Sequence, residues 1–171
     1  MKRIFLIGLI LSIKLYSQEK PDEYRKMIDS AIAIKSYQVF EDFNHKLSKD
    51  VNTENWRYYI RNYKHRIENT YLIDENHHPY VIQPSNNLAI KFKQMDIYNS
   101  KNKKELKKGI CVWKIVPNLT ENKLKIDIIE FTVNYTNKKY VFSNGGGSTF
   151  IFEYSCGEKK WFLISNKTNG R

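Results

Sequence analysis

The apolar residues of this chain change period once, and the change divides it in two. Tyr24, Met27, Ile28, Ala31 and Ile32 fall at i, i+3, i+4, i+7 and i+8, one stripe on a helix. Trp56, Tyr59, Ile60, Tyr63 and Ile67 repeat that spacing. From Tyr71 onward apolar residues alternate instead with the period of two that a half-buried strand requires. Helices followed by a run of strands predict an α+β domain, with N-terminal helices packed on one face of a curved antiparallel sheet built as a meander.

Element ends are marked by local chemistry. Pro21-Asp22-Glu23 reads as a helix start, with acids where the helix dipole favours them, and the stripe carries that helix to about Lys35. Residues 36–49 admit two readings: Phe40, Phe43 and Leu47 suit a second helical stripe, whereas Tyr37-Gln38-Val39 suits an extended segment. Thr53 is an N-cap for the next helix, whose opposite side carries Arg57, Arg61 and Lys64. Strands are expected at Tyr71–Ile73 and Tyr80–Ile82, flanking a hairpin loop, and at Leu88–Phe92, with Met95 and Ile97 one residue out of phase across a bulge. Gly109 stops a lysine-rich turn or single helical turn over Ser100 to Lys108, and Pro117-Asn118 closes a strand from Ile110 to Val116.

Further on, Leu124, Ile126 and Ile128 face one way, and Ile129, Phe131, Val133 and Tyr135 the other, which predicts a bulge in that strand. Thr136-Asn137-Lys138 turns the chain into Tyr140–Phe142. The glycines 145–147 read as a flexible turn into Phe150, Phe152 and Tyr154, and Gly157-Glu158-Lys159 turns into Trp161–Ile164.

Ahead of the helices, Lys2 and Arg3 precede the apolar run Ile4 to Ile13, and small Ser17 follows, the order of charges and apolar residues in a signal peptide. The run is too short to span a bilayer, which takes about 20 apolar residues. The expectation is a leader over residues 1–17 and a single domain over 18–171, exported to the periplasm or secreted. No cysteine lies near the run to carry a lipid anchor, and no later segment is apolar enough to hold a membrane. Loss of Lys2, Arg3 and Lys14 leaves 26 of 29 basic residues against 18 acidic, a formal charge of +8. That balance favours anionic surfaces over a screening distance of about 8–10 Å.

No catalytic, metal or cofactor motif stands out. Asp74, Glu75, His77 and His78 form the densest set of metal-ligand types, but neighbours on a strand point apart, and a polar hairpin loop accounts for them. Asp127, Glu130 and Glu153 sit in aromatic and aliphatic strands, where burial turns a carboxylate into an acid or base and a solvated strand face leaves it ordinary. The glycines before Ser148 lack the lysine and the following helix of a phosphate loop. Lys91, Lys93, Lys101, Lys103, Lys104, Lys107 and Lys108, against Asp96 and Glu105, make the most basic stretch, either a contact for an anionic polymer through the five lysines from Lys101 to Lys108 or a solvated turn. Cys111 and Cys156 are a disulfide in an oxidising compartment or two buried thiols; the bond would close a loop of about 45 residues, worth roughly 4 kcal/mol.

Phe150-Ile151-Phe152-Glu153-Tyr154, the turn at Gly157 and the strand opening at Trp161 resemble the last hairpin of NTF2-like or cystatin-like α+β domains. The leader ending in Ser17-Gln18 resembles that of small exported proteins of Gram-negative bacteria. The resemblance implies a sheet-and-helix pocket and transfers no catalytic residue. The function expected first is a non-enzymatic exported module holding a small apolar ligand or an envelope protein, lined by Trp113, Phe131, Tyr135, Phe152, Tyr154 and Trp161. Two rivals are a hydrolase or isomerase using the strand carboxylates, and a basic protein that holds an acidic envelope polymer. Export argues against nucleic acid as the partner.

Overall fold

The computed structural model describes residues 20–83 and 87–169. The leader expected over residues 1–17 lies outside them. Two helices come first, α1 (Lys20–Leu47) and α2 (Glu54–Glu68). Four strands follow β1 (Thr70–Ile73): β2 (Ile110–Thr120), β3 (Lys123–Thr136), β4 (Lys139–Ser155) and β5 (Lys160–Asn169). They lie side by side in chain order in one sheet. Among the described residues no helix is long and apolar enough to cross a membrane.

The 36–49 ambiguity resolves as helix. α1 runs unbroken to Leu47 because its second half finds a partner in α2. The Phe43 and Tyr63 rings meet edge-on at 5.6 Å, and the Tyr63 hydroxyl donates to Asp42 Oδ2 at 2.7 Å. Thr53 caps α2 as expected, its hydroxyl accepting from the Trp56 amide at 3.2 Å.

β2 to β5 form the predicted antiparallel meander, and β1 departs from it by pairing parallel with Cys111–Lys114 of β2. A parallel pair needs a long crossover. Residues 74–109 supply it, with a 3-10 turn at Ser100–Asn102 and a short helix α3 (Lys103–Leu106). Here the expected strands at 80–82 and 88–97 do not form, and only isolated bridges at Pro79 and Lys93 touch β1. Side chains of α1 take over the backbone groups that a ladder would have satisfied. Asp29 accepts from the Gln83 amide at 3.1 Å and the Tyr80 hydroxyl at 2.8 Å. Arg25 donates to the Val81 carbonyl at 2.7 Å, and Ser36 Oγ accepts from the Ala89 amide at 3.2 Å.

The sheet buries both faces. Under α1, Met27, Ile28, Ala31 and Ile32 pack on Leu72, Trp113, Ile115, Leu124, Ile126, Ile128, Phe150 and Phe152. On the other face, Met95, Ile97 and Leu106 of the crossover cover Tyr71, Ile73, Ile110, Val112 and Val133. β3 therefore keeps its alternation throughout. Its inward set changes because the cover changes sides, not because β3 bulges. The register shift lies opposite, where Glu130 pairs with Gly146 and Phe131 with Asn144, so Gly145 is the extra residue. The three glycines are not a turn but the middle of a 17-residue strand. Gly146 sits at φ +101, and a Cβ on Gly147 would stand 2.6 Å from the Ile128 carbonyl oxygen. β2 likewise continues through Pro117, expected to close it, to Thr120.

Candidate functional site

Lys35 follows Ile28, Ala31 and Ile32 on the stripe that α1 buries, and it is only 2% exposed. A buried ammonium needs partners. It donates to Ser148 Oγ at 3.0 Å and stands 3.0 Å from Glu130 Oε1, with the Trp113 ring centroid 4.8 Å away. Arg66 of α2 reaches Glu130 Oε2 at 3.3 Å. Glu130 thus ties two helices to β3. Two turns along α1, Asp42 pairs with Lys46, whose ammonium lies 5.1 Å from the Tyr63 ring centroid. The hydrogen bond to Asp42 pushes the Lys46 pKa up.

These groups edge a cleft of about 350 Å³ between α1 and the sheet, with Gly145, Gly147 and Ser148 at its floor and Thr168 and Asn169 of β5 at its side. Its charges are matched cation against carboxylate. Both oxygens of Glu130 are engaged by cations. Water fills such a polar hollow readily.

A second concavity on the same helices has the opposite character. Phe40 and Phe43 of α1, Ile67 of α2, and Ala89, Ile90 and Phe92 of the crossover wall a groove of about 470 Å³. Two walls are anchored: Phe43 on Tyr63, and Phe92 edge-on to Trp113 at 5.2 Å. Phe40 is 39% exposed. Lys64, Lys91 and Lys93 also line this groove, with Glu68 the one acid among the described lining residues. Lys64 stands 3.8 Å from Glu68, and Lys93 donates to Asn69 Oδ1 at 2.5 Å.

The six aromatics expected to share one lining are divided between the two faces. Trp113 and Phe152 are buried in the core beneath α1, and Trp161 packs on its margin with Tyr154 at 5.4 Å. Phe131 and Tyr135 border the opposite core, against Phe142 and Tyr140. Because β3 keeps its alternation, Phe131 and Tyr135 lie on the face opposite the one that Trp113 and Phe152 share.

The two other strand carboxylates are paired and half-buried. Asp127 accepts from Thr149 at 2.6 Å and Lys125 at 2.7 Å, and Glu153 from Asn122 at 3.2 Å. Among the five lysines, Lys101, Lys104 and Lys108 share a cleft, whereas Lys103 lies over the Tyr135 ring and Lys107 is exposed beyond α3. The two thiols are free. Cys111 pairs with Thr132 near one end of β3, whereas Cys156 follows Ser155 beyond the other end, so no disulfide joins them. Burial raises the Cys111 pKa.

His77 and His78 point to different partners, Lys114 at 3.0 Å and Asp74 at 3.6 Å. Among the described residues no group of three His, Cys, Asp or Glu side chains is placed to hold a metal.

Lys35 and Phe40 are the residues that pattern reading missed. Lys35 carried a signal, as a lysine in phase with Ile28, Ala31 and Ile32, where a solvated lysine has no place. Comparison with known proteins finds no family model that matches this chain, and no curated protein or solved structure significantly similar to it.

Proposed function

We propose that this chain is an exported module that binds a small amphipathic ligand, its apolar body in the Phe40–Phe92 groove and its anionic head against Lys64, Lys91 and Lys93. The observation that carries the reading is the apolar groove itself. Water satisfies the neighbouring polar cleft, but it gains little on walls of phenylalanine and isoleucine, so an apolar occupant releases that cost. The lysines around it select a negative end over a neutral one. Binding rather than acid–base catalysis is favoured because Asp127, Glu130 and Glu153 are each engaged by cations or hydrogen-bond donors. The resemblance of the final hairpin to NTF2-like domains accords with a pocket between helix and sheet, and the leader-like N-terminus with export.

Displacement of the fluorescent probe N-phenyl-1-naphthylamine by straight-chain carboxylates, from hexanoate to hexadecanoate, tests this. Affinity is expected to climb with chain length at up to about 0.8 kcal/mol per methylene until the groove is full. Methyl esters are expected to bind more weakly, and Phe40→Ser and Lys91→Glu to weaken the acids. Affinity that ignores both chain length and Phe40→Ser overturns the assignment.

A further inference from the structure

The C-terminal end of α2 and the segment from Ser100 to Gly109 enclose a third concavity, about 530 Å³, lined among others by His65, Asn69, Lys101, Asn102, Lys104 and Lys108. It runs on into a hollow of about 290 Å³ that shares His65, Asn69 and Lys108 and adds Asn62, Arg66 and Asn134. Among the described residues Glu105 is the one carboxylate lining the larger cleft, and it accepts a hydrogen bond from the Tyr71 hydroxyl at 2.8 Å. The ion pairs that employ Lys35, Lys46, Lys64, Lys123, Lys125 and Lys160 include none of these three lysines. Three lysines of one short segment thus share a hollow with His65, against the single lining carboxylate of Glu105.

We propose that this cleft binds the acid sugars of an anionic glycan, as a site separate from the apolar groove. Like charges gathered in a concavity focus the field on an incoming anion. The carboxamides of Asn62, Asn102 and Asn134 add acceptors and donors suited to sugar hydroxyls. Two other polyanions fit less well. Single-stranded nucleic acid wants a row of exposed rings to stack on, and of the two rings here Tyr71 is 2% exposed, which leaves the exposed His65 imidazole alone. An anionic bilayer wants apolar side chains projecting among the lysines, and Leu106 and Ile110 are buried instead.

The test is calorimetric titration of the folded chain with polygalacturonate oligomers, using neutral dextran, oligo-dT and phosphatidylglycerol vesicles in parallel. Polygalacturonate is expected to bind, more weakly as salt rises, and dextran not to bind. Lys101→Glu/Lys104→Glu/Lys108→Glu is expected to lose at least tenfold in affinity while keeping the native circular dichroism spectrum and its affinity for alkyl carboxylates. Lys49→Glu/Lys159→Glu/Lys167→Glu makes the same charge change elsewhere and is expected to lose less than threefold. Lys101→Ala/Lys104→Ala/Lys108→Ala serves should the first variant unfold, with the same loss expected. Equal losses in the two glutamate variants reduce the effect to net charge and overturn the site. Tighter binding of oligo-dT or vesicles, lost in the same cleft variant, overturns the glycan as its occupant.

Discussion

Lys35 of α1 stands 3.0 Å from Glu130 of β3, and both side chains are largely withdrawn from water. Breaking such a pair costs more than replacing it, because the survivor keeps its desolvation penalty. Lys35→Met is expected to lower stability by about 3 kcal/mol, with Arg66 alone left to compensate Glu130. Lys35→Met/Glu130→Gln is expected to recover part of the loss. Urea midpoints of the two variants check this; a single variant no less stable than the double contradicts the pairing.

Gly147 and Gly145 predict opposite responses to the same substitution. Gly147→Ala forces a methyl to 2.6 Å from the Ile128 carbonyl oxygen, which only backbone movement relieves. A loss of roughly 2 kcal/mol is expected, in the range for strain inside a sheet. Gly145→Ala meets its nearest atom at 3.5 Å and is expected to be near neutral. Thermal unfolding of both proteins decides it.

Much of the fold was legible because helix and strand periods are written in apolar spacing. The Met27–Ile32 stripe, the Thr53 cap and the ladders of β2 to β5 follow from it. Residues 79–97 misled the same rule. Their alternation records burial on two sides, whereas Asp29, Arg25 and Ser36 of α1 meet their backbone groups. Alternation along β3 alone shows that the inward set changes, but not that the surplus residue belongs to β4. For that reason the six aromatics looked like one lining. The groove at Phe40 was illegible because it forms only where three distant segments meet.

Asp29 is fully buried and receives the Tyr80 hydroxyl at 2.8 Å. Burial, and then this hydrogen bond, push the phenol pKa up. Tyr80→Phe is expected to cost roughly 1.5–3 kcal/mol, the range for a hydrogen bond to a charged group. Faster hydrogen exchange at the Gln83 amide, which shares Asp29, is the sharper readout; unchanged exchange contradicts the coupling.

His77 sets an acid limit. Burial first, and then the nearby Lys114 ammonium, lower its pKa below 6.5. The unfolded chain therefore takes the proton first. The contribution of His77 to stability is whole above about pH 6.5 and declines as pH falls through the interval down to the lowered value. His77→Asn keeps a residue tolerant of the left-handed backbone here, at φ +67. It is expected to flatten the pH profile of the urea midpoint in that interval. A profile that stays steep assigns the acid sensitivity elsewhere.

The surplus residue at Gly145 makes β4 a single thread sewn through two interiors. Its later half fills the layer beneath α1, and its earlier half the layer beneath the crossover. Deleting one residue there inverts every side chain on one side of the cut relative to the other. Neither interior can loosen by itself while the other holds the same strand in place, so both are bound to melt in a single step.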